Sequence, residues 1–154
     1  MFKKIIFIFL LSISFASKYS YTILNTNEKV NIDGILDEEV WKTGNPISNF
    51  SQKDPNPGEP ARQKTEVRVA IDDEFIYVGA YLYDNSPDSI ARQIIRRDGW
   101  GYSDWFAIGL DSYFDKRTCF GFHVNPSGSI RDMLHFNDTD SDDSWDAVWE
   151  TKSV

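Results

Sequence analysis

The chain has 154 residues, of which 24 are acidic and 16 are basic, giving a formal net charge of −8. Binding to nucleic acid or to an anionic membrane surface depends on clustered Lys and Arg, so this acidic balance argues against both partners. Cys119 is the only cysteine, so no disulfide can form within the chain and its stability has to come from packing.

The N-terminal stretch has the pattern of a secretory signal peptide. Lys3 and Lys4 precede an apolar run from Ile5 to Leu11, which gives way to small residues near Ala16. A transmembrane helix needs roughly 18 or more apolar residues, and this run is shorter. We therefore expect removal of residues 1–17, leaving an exported chain with no membrane-spanning segment and a net charge of −10. Its expected location is periplasmic, outer-membrane-associated or extracellular.

The stretch IDGILDEEVWKTG predicts one short helix. Asp37 is the expected N-cap, because acidic residues follow it in the first turn, where the helix dipole favours them. Leu36 and Trp41 would then form a hydrophobic staple, and Gly44 would close the helix. Trp41 is accordingly expected in the core. A second short helix is expected over residues 87–96.

Most of the remaining chain has the period-two pattern of strands. Residues 66–71 and 75–83 predict a β-hairpin whose second strand, apolar on both faces, is expected to be central in its sheet. Three more strands are expected at 105–111, 119–125 and 129–136. Strands at this spacing with little helix predict an all-β fold, an antiparallel β-sandwich with one or two short helices over residues 20–154.

Four stretches resemble successive motifs of carbohydrate-binding module family 9: VNIDGILDEEVW, VRVAIDDEFIYVGAYLYD, SDWFAIGLDSYFDKRTCFGFHVNPSGSIRD and WDAVWE. The resemblance covers Val30 to Glu150. The chain most resembles the family 9 modules found at the N-terminus of large exported bacterial proteins, which continue into a C-terminal domain of unknown function. The resemblance implies a β-sandwich that binds polysaccharide chain ends or small sugars, often beside glycoside hydrolases of carbohydrate catabolism. It also implies structural calcium and no catalysis by the module itself.

The chain departs from that family in two respects. Family members continue into further strands beyond the point where this chain stops, so the resemblance implies a domain truncated at its C-terminus and a missing C-terminal domain. The sugar-clamping tryptophans of the family lie outside the matched motifs. No sugar-binding residue is therefore transferred from the family, and the candidates have to be argued from the residues themselves.

The loop RRDGWGYSDW offers the best aromatic platform for a sugar. A sugar ring stacks its C–H face on an exposed indole, while charged and amide groups bond its hydroxyls. Trp100 lies between two glycines, which disfavours a regular strand. Arg97 and Tyr102 lie close to it in the chain and are expected to contribute polar contacts. Trp145, in an acidic stretch near the end of the chain, is expected to provide a second aromatic surface, a second wall of the sugar-binding site.

The acidic stretch DTDSDDSWD packs five aspartates into nine residues. An EF-hand alignment fails, because Asp143 stands where glycine is needed and Trp149 stands where glutamate is needed. A less regular calcium site at Asp138, Asp140 and Asp142 is the expected metal site, since a divalent cation relieves the repulsion among crowded carboxylates. The alternative is an exposed acidic loop whose Asp and Ser residues favour turns.

The sequence predicts a binding module rather than an enzyme. It contains neither H-E-x-x-H nor G-x-S-x-G, and pairs of carboxylates carry no signal in so acidic a chain. The aspartates Asp104, Asp111 and Asp115 are expected to stabilise turns rather than to bind a metal. Two alternatives remain: a structural or protein-docking domain of an envelope protein that has lost sugar binding, and a haem-binding sandwich ligated by His123 and Met133.

Overall fold

The computed structural model describes residues 19–137 and 139–154, so the predicted signal peptide and Asp138 lie outside the described residues. The described chain is all-β, as predicted, with its strands in two sheets, the number that a β-sandwich requires. The elements in chain order are β1 (Leu24–Asn25), α1 (Glu39–Lys42), β2 (Thr65–Ile71), β3 (Ile76–Leu82), a 3-10 helix (Pro87–Ser89), β4 (Phe106–Leu110), β5 (Cys119–Val124), β6 (Ile130–Phe136) and β7 (Asp140–Asp142).

The first sheet has the order β1-β2-β3 and is mixed rather than purely antiparallel. The predicted hairpin is present, with β2 and β3 antiparallel from Thr65 opposite Leu82 to Ile71 opposite Ile76. Asp72 closes its turn, because its carboxylate accepts hydrogen bonds from the backbone N–H groups of Glu74 and Phe75 and from the hydroxyl of Tyr77. β1 adds to the far side of β2 in a parallel direction, a pairing that the local pattern did not indicate.

The prediction that the second hairpin strand is central is wrong, because β2 occupies the centre and β3 lies at the edge. Besides β1, the backbone of Ile47 exchanges two hydrogen bonds with Val67 of β2, at 2.8 and 2.9 Å. Within the described ranges no strand pairs with the outer edge of β3, and Ile76, Tyr81 and Leu82 are more than half exposed. An apolar strand pattern indicates contact with apolar surfaces but does not specify how many strands pair with it.

Trp41 is a core residue, as predicted. Its side chain is 6% exposed and belongs to a cluster on the first sheet formed by Val30, Val40, Trp41 and Ala70, with Leu24, Leu36 and Tyr77 packed around it. The indole lies directly over Gly79, where a Cβ would come within 3.1 Å of both Trp41 and Leu36. The absence of a side chain at this position of β3 therefore lets the tryptophan pack closely against the sheet.

The helix around this tryptophan begins one residue later than predicted. Its N-cap is Glu38 rather than Asp37, and no side chain of the cap residue bonds the helix. Instead the carboxylate of Glu28 accepts a hydrogen bond from the backbone N–H of Val40 at 2.9 Å. Gly44 ends the helix with a φ of +71°, as predicted. The expected second helix is only the single 3-10 turn, Pro87–Ser89.

The second sheet is antiparallel in the order β4-β5-β6-β7. Side chains alternate between the two sides of a strand, and directly paired residues of neighbouring strands share a side. One side, called here the histidine face, carries Cys119, Gly121, His123, Arg131, Met133 and His135. The other, called the phenylalanine face, carries Phe120, Phe122, Ile130, Asp132 and Leu134.

The predicted turn aspartates stabilise the connections of this sheet. Asp111 accepts backbone hydrogen bonds from Asp115 and Lys116, and Asp115 in turn accepts bonds from Arg117 and Thr118. Asp104 accepts one from the backbone N–H of Ala91. These bonds confirm the predicted structural role of the three carboxylates.

Truncation of Trp41 tests the assignment of the core. Trp41→Ala should lower the free energy of unfolding by about 3–5 kcal/mol, because it removes a large buried side chain and leaves a cavity over Gly79. The measurement is urea unfolding followed by circular dichroism. The control is Ile94→Ala, a position that is 85% exposed and should change stability little. Equal effects of the two substitutions would contradict the assignment.

Candidate functional site

Trp100 presents an open aromatic surface above the histidine face. Its side chain is 63% exposed, while the guanidinium carbon of Arg131 lies 3.7 Å from its ring centroid. Trp105 and His123 approach the ring edgewise, with centroids at 5.9 and 6.2 Å. Arg131 covers one side of the indole, so the exposed area belongs to the other side and its rim. The ring is thus held from beneath and open above.

The loop that carries Trp100 is tightly folded at both of its glycines. A Cβ at Gly99 would lie 2.9 Å from the carbonyl oxygen of Arg96, and one at Gly101 would lie 2.7 Å from the side chain of Ile95. The backbone N–H of Tyr102 donates to the side-chain oxygen of Gln93 at 2.9 Å. Gly99 is therefore required, because the backbone folds tightly against its own preceding segment, and a side chain at position 101 would displace the side chains of Ile95 and Gln93.

Arg131 is a buried cation, 2% exposed, whose main partners are Trp100 and one acid. Its Nη2 lies 2.9 Å from the carboxylate of Asp143, which is itself about half exposed. Its Nε and Nη1 are buried and have no hydrogen-bond partner within the described residues. Stacking on the indole is the interaction that offsets part of this desolvation, since the face of a tryptophan attracts a cation.

Arg97, predicted to contact a sugar, is instead bound to carboxylates of the protein, with its side chain 39% exposed. Its Nη2 donates to the carboxylates of Asp132 at 2.8 Å and Asp146 at 2.6 Å, and to the carbonyl oxygen of Ala147. Partial burial acts against its charged form. The hydrogen bond to Asp146 and the charges of Asp132, Asp146 and Asp98 outweigh burial and raise the pKa of Arg97. Its guanidinium is therefore a charged structural link rather than a free ligand for a hydroxyl.

Asp98, Asp132 and Asp146 are the one group of three potential metal ligands within the described residues, with ligand atoms within 4.8 Å of one another. The guanidinium of Arg97 already lies among them and bonds Asp132 and Asp146. A metal ion at this position would have to displace that cation. The group is better described as an ion-pair network than as a metal site.

Trp145 does not form a second wall with Trp100. Its ring packs against Phe120 and Phe122, with centroids 4.9 and 5.9 Å apart, and it is half-buried. Both phenylalanines belong to the phenylalanine face, whereas Trp100 contacts His123 and Arg131 on the opposite side of the sheet. Of the predicted sugar-binding residues, only Trp100 and Tyr102 lie on one loop with their aromatic rings open to solvent. Tyr102 is 85% exposed.

Two of the three predicted calcium residues, Asp140 and Asp142, lie in a short strand rather than in a loop. Asp140 and Asp142 are exposed residues of β7, paired with Phe136 and Leu134 of β6. The hydroxyl and backbone N–H of Ser144 both donate to Asp142 and hold its pKa below its usual value. Asp138, the third expected ligand, lies outside the described residues. Calcium at these three residues stays a prediction.

The haem alternative is contradicted by the register of the second sheet. Met133 of β6 pairs with Gly121 of β5. His123 lies two residues after Gly121 in β5, so it is on the same side of the sheet as Met133. Axial ligands have to approach a haem from opposite sides, which two residues on one face of one sheet cannot do. Burial, followed by the charges of Arg131 and His135, lowers the pKa of His123. The proximity of the two histidines was not foreseen from the sequence.

The Arg97 network yields a stability test. Arg97→Met should lower the free energy of unfolding by about 2–4 kcal/mol, because it leaves the carboxylate of Asp132, 0% exposed, without its cation. The control is Arg96→Met, an exposed neighbour for which a change within about 0.5 kcal/mol is expected. Denaturant unfolding measures both. A mild effect at both positions would show that the network contributes little.

Calcium is tested by thermal melting of the chain with calcium and with chelator. If the acidic stretch binds the ion, calcium at a hundredfold excess over the dissociation constant should stabilise the fold by about 2.7 kcal/mol. Asp140→Asn combined with Asp142→Asn should abolish the shift, while Asp88→Asn, an exposed acid elsewhere, should leave it intact. Superimposable melts with calcium and chelator would exclude a structural calcium ion.

Comparison with models of known families, with curated proteins and with solved structures finds no match to this chain. In the described part of the chain no helix has the length and apolar character needed to cross a membrane. The function therefore has to be argued from the geometry around Trp100 and from the motifs of the sequence.

Proposed function

We propose that this chain is a non-catalytic saccharide-binding domain of an exported protein, in which the open side of Trp100 stacks against a sugar ring. The observation that carries the proposal is the indole of Trp100, a residue that is 63% exposed although Arg131 covers one side of its ring at 3.7 Å. The motif resemblance to carbohydrate-binding module family 9 supports the same class of ligand. It also supports attachment to proteins of carbohydrate catabolism.

A clamped ring suits stacking for an entropic reason. A side chain that is already ordered loses little conformational freedom when a ligand packs on it, so more of the contact energy appears as affinity. Arg131 beneath the ring and Trp105 at its edge restrict Trp100 before any ligand arrives. The open side of the indole is thus a preformed platform.

Polar recognition at this platform falls to side chains other than Arg97. Tyr102 follows Trp100 after one glycine, and its exposed phenol both donates and accepts hydrogen bonds. Arg97 contributes indirectly, because its bonds to Asp132 and Asp146 position the start of the loop. The proposal thereby reassigns Arg97 from a sugar contact to a positioning residue.

The exposed position of Trp100 favours a polymer over an enclosed small molecule. Sites for small ligands usually bury most of the ligand in a cleft. An indole open over most of its surface provides one-sided contact, which fits a residue of a polysaccharide or oligosaccharide lying along the protein. We therefore assign polysaccharide or oligosaccharide chains as the ligand.

Affinity electrophoresis on xylan and cellulose derivatives, with calorimetric titration of their oligomers, tests the proposal. The wild-type chain should be retarded on at least one glycan, and Trp100→Ala should weaken binding by about tenfold or more, as expected for a central aromatic contact. The matched control is Tyr113→Ala, an aromatic residue that is 69% exposed on a different loop and should leave binding unchanged.

Two outcomes would contradict the assignment. Unchanged binding of the Trp100→Ala variant would remove this residue from the site. No retardation on any glycan would favour the alternative of a structural or protein-docking domain. The exposed apolar edge of β3 favours that second function, since unpaired edge strands pair readily with other chains.

A further inference from the structure

The chain contains two histidines, and both lie on the histidine face of the second sheet. In the register of β5 and β6, His123 pairs with Arg131 and His135 pairs with Cys119. Gly121 lies between these two pairs. The two imidazoles therefore approach Gly121 from opposite ends along the sheet.

The missing side chain of Gly121 leaves a space that both imidazoles reach. A Cβ at this position would lie 3.1 Å from Nε2 of His135 and 3.4 Å from Nε2 of His123. The two nitrogens are consequently no more than about 6.5 Å apart, on either side of one small volume. A metal ion bonded to both at about 2.0–2.1 Å requires a separation near 4 Å or less, which rotation of the rings can supply.

The surrounding donors are soft. Sγ of Cys119 lies 2.6 Å from the position of a Cβ at Gly109, and Gly109 pairs directly with Gly121. The thioether side chain of Met133, paired with Gly121 from the other strand, is buried on the same face. Imidazole with sulfur nearby selects zinc and copper, whereas calcium and magnesium prefer oxygen.

Local charge permits a cation at this position. Arg131 is the positive neighbour of His123, but its guanidinium is paired with Asp143 at 2.9 Å and covered by the ring of Trp100. The chain as a whole carries a formal charge of −8, so its net charge attracts a divalent cation.

We propose that His123 and His135 chelate a transition-metal ion of the zinc or copper class in the space over Gly121, with the sulfur atoms of Cys119 and Met133 on the same face of the sheet. The site is separate from the acidic stretch, whose donors are carboxylates, and it does not depend on sugar binding. It lies next to the platform, because the imidazole of His123 contacts the edge of Trp100 with centroids 6.2 Å apart.

Equilibrium dialysis of the whole chain against Zn²⁺ tests the site, using protein without a polyhistidine tag. One ion per chain is expected. His123→Gln and His135→Gln should each weaken binding by at least about tenfold, since even outer-shell partners of metal ligands contribute that much. Asp140→Asn combined with Asp142→Asn is the control and should bind Zn²⁺ as the wild type does. Equal affinity in the wild type and both histidine variants would overturn the proposal.

The Gly121→Ala variant tests whether Zn²⁺ binding requires the space over Gly121 or only the presence of the two histidines. It keeps both imidazoles but places a methyl group in the space between them, so Zn²⁺ binding should fall by about tenfold or more. Far-ultraviolet circular dichroism and thermal melting identify any variant that fails to fold. Undiminished binding by folded Gly121→Ala would contradict a site over this glycine.

Copper gives a readout that needs no variant. Electron spin-echo spectroscopy of the wild-type chain with one equivalent of Cu²⁺ should show two bound imidazoles. Cu²⁺ should also quench the fluorescence of Trp100, whose ring lies beside the imidazole of His123. A spectrum with one imidazole or none would exclude chelation by the pair and overturn the proposal.

Discussion

The buried carboxylate of Asp132 organises the part of the molecule that presents Trp100. It is fully inaccessible to solvent, and its two oxygens accept hydrogen bonds from the guanidinium of Arg97 and from the backbone N–H of Ala147. A buried charge is tolerated only when it is paired and hydrogen-bonded, so these partners are a requirement. One side chain of β6 thereby joins the loop before β4, the second sheet and the C-terminal segment.

Adjacent residues of β6 connect this network with the aromatic platform. Asp132 points to the phenylalanine face, so Arg131 must point to the histidine face, where it lies under Trp100. The backbone of Asp98, one residue after Arg97, also bonds β6 by donating to the carbonyl oxygen of Ile130 at 3.1 Å. The loop is thus fixed to the strand from both sides, which explains how an exposed indole on an irregular segment has a defined orientation.

The C-terminal segment packs on the second sheet and reaches the segment before α1. Trp145 and Trp149 cover Phe122 on the phenylalanine face. Further on, the hydroxyl of Ser153 donates to the carbonyl oxygen of Asn125 at 3.0 Å. Val154 lies so close to Gly34 that a Cβ there would come within 2.7 Å of it. Trp145 and Trp149 therefore contribute to packing on the second sheet.

Local patterns in the sequence determined the strands β2 to β6, the buried position of Trp41, the turn roles of the aspartates and the irregular loop around Trp100. Each follows from the preferences of a few neighbouring residues, such as alternation along a strand or glycine beside a tight turn. Only the tertiary structure decided that β3 is an edge, that Arg97 is paired with carboxylates and that Trp145 lies on the opposite face from Trp100. It also brought the two histidines together over Gly121. These features depend on which strands pair and in which register, and pairing is set by contacts between residues far apart in the chain.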